Sequence, residues 1–204
     1  MNYRFTEKEK EIYEIAKSLM KLDKGLMVTG SLSAKLMGYH VVKSLGDLDI
    51  ALPIKIPLLD NDELLNDVYL SSRDYISNIV KLIGGEKFEG FDAIDYYSGS
   101  NMATNSMNDD RSICFTVGKG NISIHFLVGL HYDSSMWVNT MDINGIEFKL
   151  STMEDMMVRK MRYLFHHGSK KHIKQIISYL EQNIYSFKEG IRMGVKMIEN
   201  YNEL

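Results

Sequence analysis

Residues 25–53 read GLMVTGSLSAKLMGYHVVKSLGDLDIALP, and the fold turns on how this stretch is parsed. An apolar run, Gly25 to Thr29, ends in Gly30-Ser31; a short helical segment and a turn follow; a second apolar run then carries Asp47-Leu48-Asp49 into Ile50, Ala51 and Leu52. Successive side chains on a strand point to opposite faces, so residues two apart share a face. Asp47 and Asp49 are therefore expected side by side, with Leu48 and Ile50 turned into a core. Two neighbouring carboxylates repel, and a divalent cation relieves the repulsion; Mg²⁺ takes carboxylate oxygens readily. Gly30-Ser31 falls at a strand end just before a helix, where free backbone N–H groups favour a phosphate and the missing Cβ lets a ligand come close. A phosphate cradle beside a carboxylate pair is the layout of a phosphoryl- or nucleotidyl-transfer site.

In these residues the chain resembles the nucleotidyltransferase superfamily, with its polymerase-beta-like fold: Val28-Thr29-Gly30-Ser31, a fifteen-residue spacer, then Asp47-Leu48-Asp49-Ile50. Ser33-Ala34, Gly38 and the basic Lys43, four residues before the first Asp, also fit. Among subfamilies it looks most like the minimal bacterial and phage transferases and the abortive-infection toxin type. The resemblance implies transfer of a nucleotide from an NTP such as ATP to a hydroxyl acceptor, with loss of pyrophosphate. Asp47 and Asp49 would hold Mg²⁺ or Mn²⁺, Gly30 and Ser31 would cradle the phosphates, and Lys43 would add positive charge. The acceptor is left open among RNA (a tRNA end, say), a protein side chain and a small molecule. Read without the resemblance, an Asp-x-Asp alone is common on solvated strand ends; it is the preceding strand-Gly-Ser-helix that makes the pattern specific.

The resemblance also implies a third carboxylate on a later central strand. By element order that strand is Ile122 to Val128, and its inward polar position holds His125 instead. His125 is expected either to assist, as a metal ligand or a base near neutral pH, or to be a satisfied strand histidine with no role. Asp92 and Asp95, on the strand before, are alternative sources of an acid. Toxin-type relatives place a lysine in a helix matching Lys160 and a Lys-Asp further on, here Lys171-His172. Over 151–204 the chain has nine Lys/Arg against six Asp/Glu, in a cluster running through Arg159, Arg162, His166, His167, Lys170 and Lys174. Such a surface either neutralises a triphosphate or RNA backbone or is simply solvated. No zinc set is expected among its histidines, and Ser31 has no His-Asp pair placed to make it a nucleophile.

Composition narrows the rest. The chain has 204 residues, 45% apolar and 25% charged, which suits one sizeable core. A net charge of -3 gives no general drive toward nucleic acid. The single cysteine, Cys114, excludes an internal disulfide and is expected buried and inert. No apolar run is long enough to span a membrane, and the first residues lack an apolar signal core, so a cytoplasmic protein is expected.

Along the chain, Thr6-x-x-Glu9 is a capping box opening a helix over 6–22. A helix over 62–83 ends at Gly84-Gly85. Strands are expected over 87–97, 111–117 and 121–130, the last two joined at Gly118–Asn121, with a polar loop over 98–110. Asn144-Gly145 pairs 138–143 with 146–150. Ser151-x-x-Glu154 reads as a second capping box before three helices, to 167, over 169–183 and over 187–202. The expected fold is α/β (α+β): a nucleotidyltransferase-like core over 1–150, a small mixed sheet with flanking helices, and a C-terminal helical subdomain over 151–204 packed on it. Two other readings stand beside the enzyme: a catalytically weakened fold kept as a nucleotide- or partner-binding module, and the toxin half of a pair neutralised by an antitoxin-like partner.

Overall fold

The structure is a computed structural model that describes residues 5–39, 41, 44–54, 62–84, 91–98, 112–119, 121–129, 138–157, 160–161, 170–182 and 192. Its centre is a seven-stranded mixed sheet: β1 (Met27–Thr29), β2 (Asp47–Ala51), β3 (Phe91–Ser98), β4 (Ser112–Lys119), β5 (Ile122–Gly129), β6 (Val138–Ile143) and β7 (Ile146–Ser151), in the order β3-β4-β5-β2-β1-β7-β6. β2 lies between β1, antiparallel to it, and β5, parallel to it. β1 runs parallel to β7, and the two edges are antiparallel hairpins. Both expected strand pairs form antiparallel, and at the turn between β6 and β7 Asn144 and Gly145 take φ of 56° and 75°, the left-handed pair that a tight two-residue turn needs.

Register sorts the sheet into two faces. Val28, Ile50, Phe126 and Phe115 stand opposite one another across β1, β2, β5 and β4, with Leu48, Ile124 and Val117 as the next row; all are buried. Helix α1 (Glu7–Leu22) covers this face with Ile12, Ile15, Ala16 and Leu19, and α3 (Asp62–Gly84) covers it with Ser72, Ile76 and Ile79. The opposite face carries Thr29, Asp49, His125 and Thr116 in one row across four neighbouring strands. Here the period-two pattern is the cause: apolar residues at one parity demand the core and leave the polar parity together on the far side.

Beyond the sheet, α2 (Gly30–Leu36) follows β1 directly, and Met153, Met156 and Met157 join Ala34 of α2 with Ile176 and Tyr179 of α4 (Lys170–Gln182) in a second buried cluster. The predicted loop 98–110 and the third C-terminal helix over 187–202 lie outside the described residues, apart from helical Arg192. Among the described residues, no helix is long and apolar enough to cross a membrane.

The second capping box does not form. Ser151 is the last residue of β7 and fully buried, and its hydroxyl is turned into the sheet; the cap is Thr152, whose Oγ1 accepts from the Asp155 N–H at 3.3 Å. The sheet extends one residue further than the local pattern implied, so the capping position moves with it.

Glu9 does more than the first capping box requires. Its Oε2 accepts from the Thr6 N–H at 2.8 Å, and the Glu9 N–H returns a bond to Thr6 Oγ1. Its Oε1 takes the Leu45 N–H at 3.1 Å and pairs with Lys35 at 2.8 Å, while Lys35 also lies over the Phe5 ring. One carboxylate, 3% exposed, therefore ties α1 to α2 and to the segment that leads into β2. Burial pushes its pKa up, but the bonds from Lys35, Thr6 and Leu45 outweigh that and bring it down to about 2. A depressed carboxylate stabilises the fold above its ordinary value of 4.5, and that contribution is lost as pH falls through about 2. Glu9→Gln should cost about 2–3 kcal/mol at pH 7. The deficit in melting temperature against wild type should narrow steadily below about pH 4.5. Equal stability at pH 7 would remove Glu9 from this role.

Candidate active site

Asp47 and Asp49 alternate on β2 with buried Leu48 and Ile50, and both are half-buried on the polar face, as the alternation predicts. Backbone pairing puts Ser123 opposite Asp47 and His125 opposite Asp49. The His125 Nδ1 lies 3.1 Å from Asp49 Oδ1, with the two side chains 29% and 26% exposed. The residue identified by element order thus meets one of the two predicted carboxylates directly.

On the other side of β2, Thr29 is the register partner of Asp49, so the turn that follows Thr29 is brought against that carboxylate. Gly30 has φ +65°, in the left-handed region. A Cβ on Gly30 would overlap Asp49 Oδ2 and stand 3.1 Å from its Cγ. Glycine is favoured twice over, by the backbone angle and by the Asp49 side chain, which would have to move aside for a Cβ. Ser31 is half-buried in the first turn of α2. Thr29 caps α2 by position, yet its side chain makes no capping bond to the helix; its Oγ1 accepts instead from the Ser151 hydroxyl at 2.9 Å.

Other predicted residues are placed less closely. Lys160 donates to Gln175 Oε1 of α4 at 3.0 Å. Lys43, Arg159, Arg162, His166 and His167 lie outside the described residues, as do the side chains of Lys171, His172, Asp92 and Asp95. By register Asp95 stands opposite Thr116, three strand spacings from Asp49; at about 4.8 Å per spacing this is roughly 14 Å, too far for both to hold one ion. Asp92 falls where the β3–β4 register shifts. Cys114 is half-buried rather than fully buried; burial, and then the charge of Asp49, push its thiol up to about 11. Among the described residues no three His, Cys, Asp or Glu side chains converge on a point that would hold a metal ion. The donor set still fits Mg²⁺, which is commonly held by one or two carboxylates and completed by water and substrate phosphates.

Sequence reasoning missed Ser33 and Ser151 as polar anchors of the turn. Ser33 was seen only as part of the motif and Ser151 only as a cap; nothing local marks either as a partner of the other across the sheet.

No protein-family model matches the chain, and no curated protein matches it. Solved structures do. The crystal structure of the aminoglycoside nucleotidyltransferase ANT(2'')-Ia in complex with adenylyl-2''-tobramycin aligns with a TM-score of 0.55 at 12% identity, covering 94% of this chain and 99% of that one. The solution structure of the same antibiotic-resistance factor aligns with a TM-score of 0.53 at 12% identity, covering 95% and 97%. With the strand order, the Gly30-Ser31 turn and the paired aspartates already in place, this likeness over nearly the whole length gives the protein the nucleotidyltransferase fold.

Proposed function

We propose that this protein transfers a nucleoside monophosphate from a Mg²⁺-bound NTP to a hydroxyl of a small polyhydroxylated acceptor, releasing pyrophosphate. The observation that carries the reading is the contact between the Gly30 turn and the Asp49 carboxylate, which sets a glycine backbone against one of the two aspartates that alternate on β2. An idle strand end has no need of that approach. A small acceptor is favoured over RNA by the net charge of -3 and by the adenylylated aminoglycoside bound to the similarly folded transferase.

In this proposal Asp47 and Asp49 hold the metal, and Gly30 and Ser31 take phosphate oxygens. The metal would neutralise phosphate charge and make the α-phosphate more open to attack. His125 orients Asp49 through the 3.1 Å contact and occupies the place of a third carboxylate. Lys43, Lys160 and Lys171 add positive charge; Lys160 exchanges its Gln175 acceptor for a phosphate oxygen. The sheet supplies the catalytic core, and the segment after Ser151, through Met153, Met156 and Met157 with Ile176 and Tyr179 of α4, packs on Ala34 of the motif helix.

A second reading has a specific observation in its favour. With His125 standing where an acid is expected, the site has, among the described residues, fewer acidic ligands than a two-metal transferase uses, which suits a nucleotide-binding module that does not turn over. Calorimetric titration of each NTP with and without Mg²⁺ separates these readings. Transfer predicts Mg²⁺-dependent binding that disappears in Asp47→Asn/Asp49→Asn, plus release of pyrophosphate when a polyhydroxylated amine-bearing acceptor such as an aminoglycoside is added. Binding without turnover on any acceptor would favour the module, and no binding by wild type would sink both.

Gly30→Ala should be the most damaging single change at the turn. The positive φ alone costs about 1–2 kcal/mol, and the new methyl displaces Asp49. Nucleotide binding should fall by at least about tenfold, whereas Ser31→Ala, which keeps the backbone, should cost less. Wild-type affinity in Gly30→Ala would show that the turn does not meet the nucleotide.

A further inference from the structure

Ser151 holds both flanks of the Gly30-Ser31 turn. Its hydroxyl donates to Thr29 Oγ1 at 2.9 Å, on the residue just before the turn. Its carbonyl accepts from the Ser33 hydroxyl, also at 2.9 Å, two residues after it. All three residues are buried: Ser151 and Ser33 are 0% exposed and Thr29 is 3% exposed. The partners are 118 and 122 residues apart in sequence, so neither bond belongs to local secondary structure.

From this we propose that Ser151 is a positioning residue for nucleotide binding: it fixes the angle at which the Gly30-Ser31 turn meets the Asp49 carboxylate. The inference rests on the nucleotide reading of that turn. The physical need comes from Gly30 itself. Glycine has the largest backbone freedom of any residue, so a turn built on it keeps one shape only if its flanks are tied. Water does not replace a lost partner at buried hydroxyls, so each bond holds more firmly than its surface counterpart. The Thr29 hydroxyl meets Ser151 and makes no capping bond to α2, where a Thr at this position ordinarily bonds an N–H of the first turn. Thr29 in turn abuts Asp49 by register, so the chain Ser151, Thr29, Asp49 runs across three neighbouring strands. The residue after Ser151 caps the stretch whose methionines pack on Ala34 of α2, so the same junction seats the C-terminal layer against the motif helix.

The test uses Mg²⁺–ATP as the probe, titrated into the full chain well below the melting temperature of every variant. Ser151→Ala removes the hydroxyl but keeps the carbonyl for Ser33; Thr29→Val removes the same bond from its other end; Thr29→Ser retains it. Losing one buried hydrogen bond should weaken binding about three- to tenfold in Ser151→Ala and in Thr29→Val. Because the two changes break one bond, the double variant should bind no worse than the weaker single, whereas independent sites would add. Thr29→Ser should stay near wild type. If Ser151→Ala does not fold, the Thr29→Val and Thr29→Ser pair makes the comparison alone. Lower melting temperatures with unchanged affinity, or additive losses in the double variant, would overturn the assignment and leave Ser151 a packing residue. Wild type that binds no Mg²⁺–NTP would sink this inference together with the nucleotide reading, an outcome distinct from wild type that binds while the variants match it.

Discussion

The Asp49 carboxylate stands where a Cβ on residue 30 would lie. That placement goes with glycine at position 30, with the positive φ of that residue and with the antiparallel pairing of β1 and β2, which sets Thr29 beside Asp49. Much of the surrounding architecture serves the contact. β5 supports Asp49 from the other side through His125, β7 supports the turn through Ser151, and Glu9 of α1 holds both α2 and the segment before Asp47. Three elements far apart in sequence thus bear on one carboxylate and one glycine.

What was legible in the chain was what local chemistry dictates. The period of two on β2 put both aspartates on one face and Leu48 and Ile50 on the other, because burying the apolar parity leaves no alternative. Asn144-Gly145 and Gly118–Asn121 gave their hairpins for the same local reason. His125 is reached by counting elements, and the register sets it opposite Asp49. Ser151 was misread because a hydroxyl followed three residues later by Glu looks like a cap whether or not the strand has ended; only the pairing of β7 with β1 decides that. Glu9 was read as half of a capping box, and its larger role depends on Lys35 and Leu45, whose closeness is a property of the folded chain. The predicted lysines were the least legible, since a charged helix surface has the same pattern whether it meets a phosphate or water.

The identity of the residue at position 125 bears most on what the site does. Its placement is not adjustable: a one-residue slip of β5 would turn buried Ile124 and Phe126 onto the polar face and His125 into the core, at the cost of the whole apolar row. Position 125 therefore stands beside Asp49 by necessity of packing, and the described part of the site carries two carboxylates where a third acid would make three. A cation meeting two carboxylates is held less firmly than one meeting three, and the remaining ligands must come from water and from the phosphates of the nucleotide. On the proposed function, then, metal and nucleotide depend on each other for binding. That dependence is why the shape of the Gly30-Ser31 turn matters: it would hold the phosphates that complete the ligand set left unfinished by the protein.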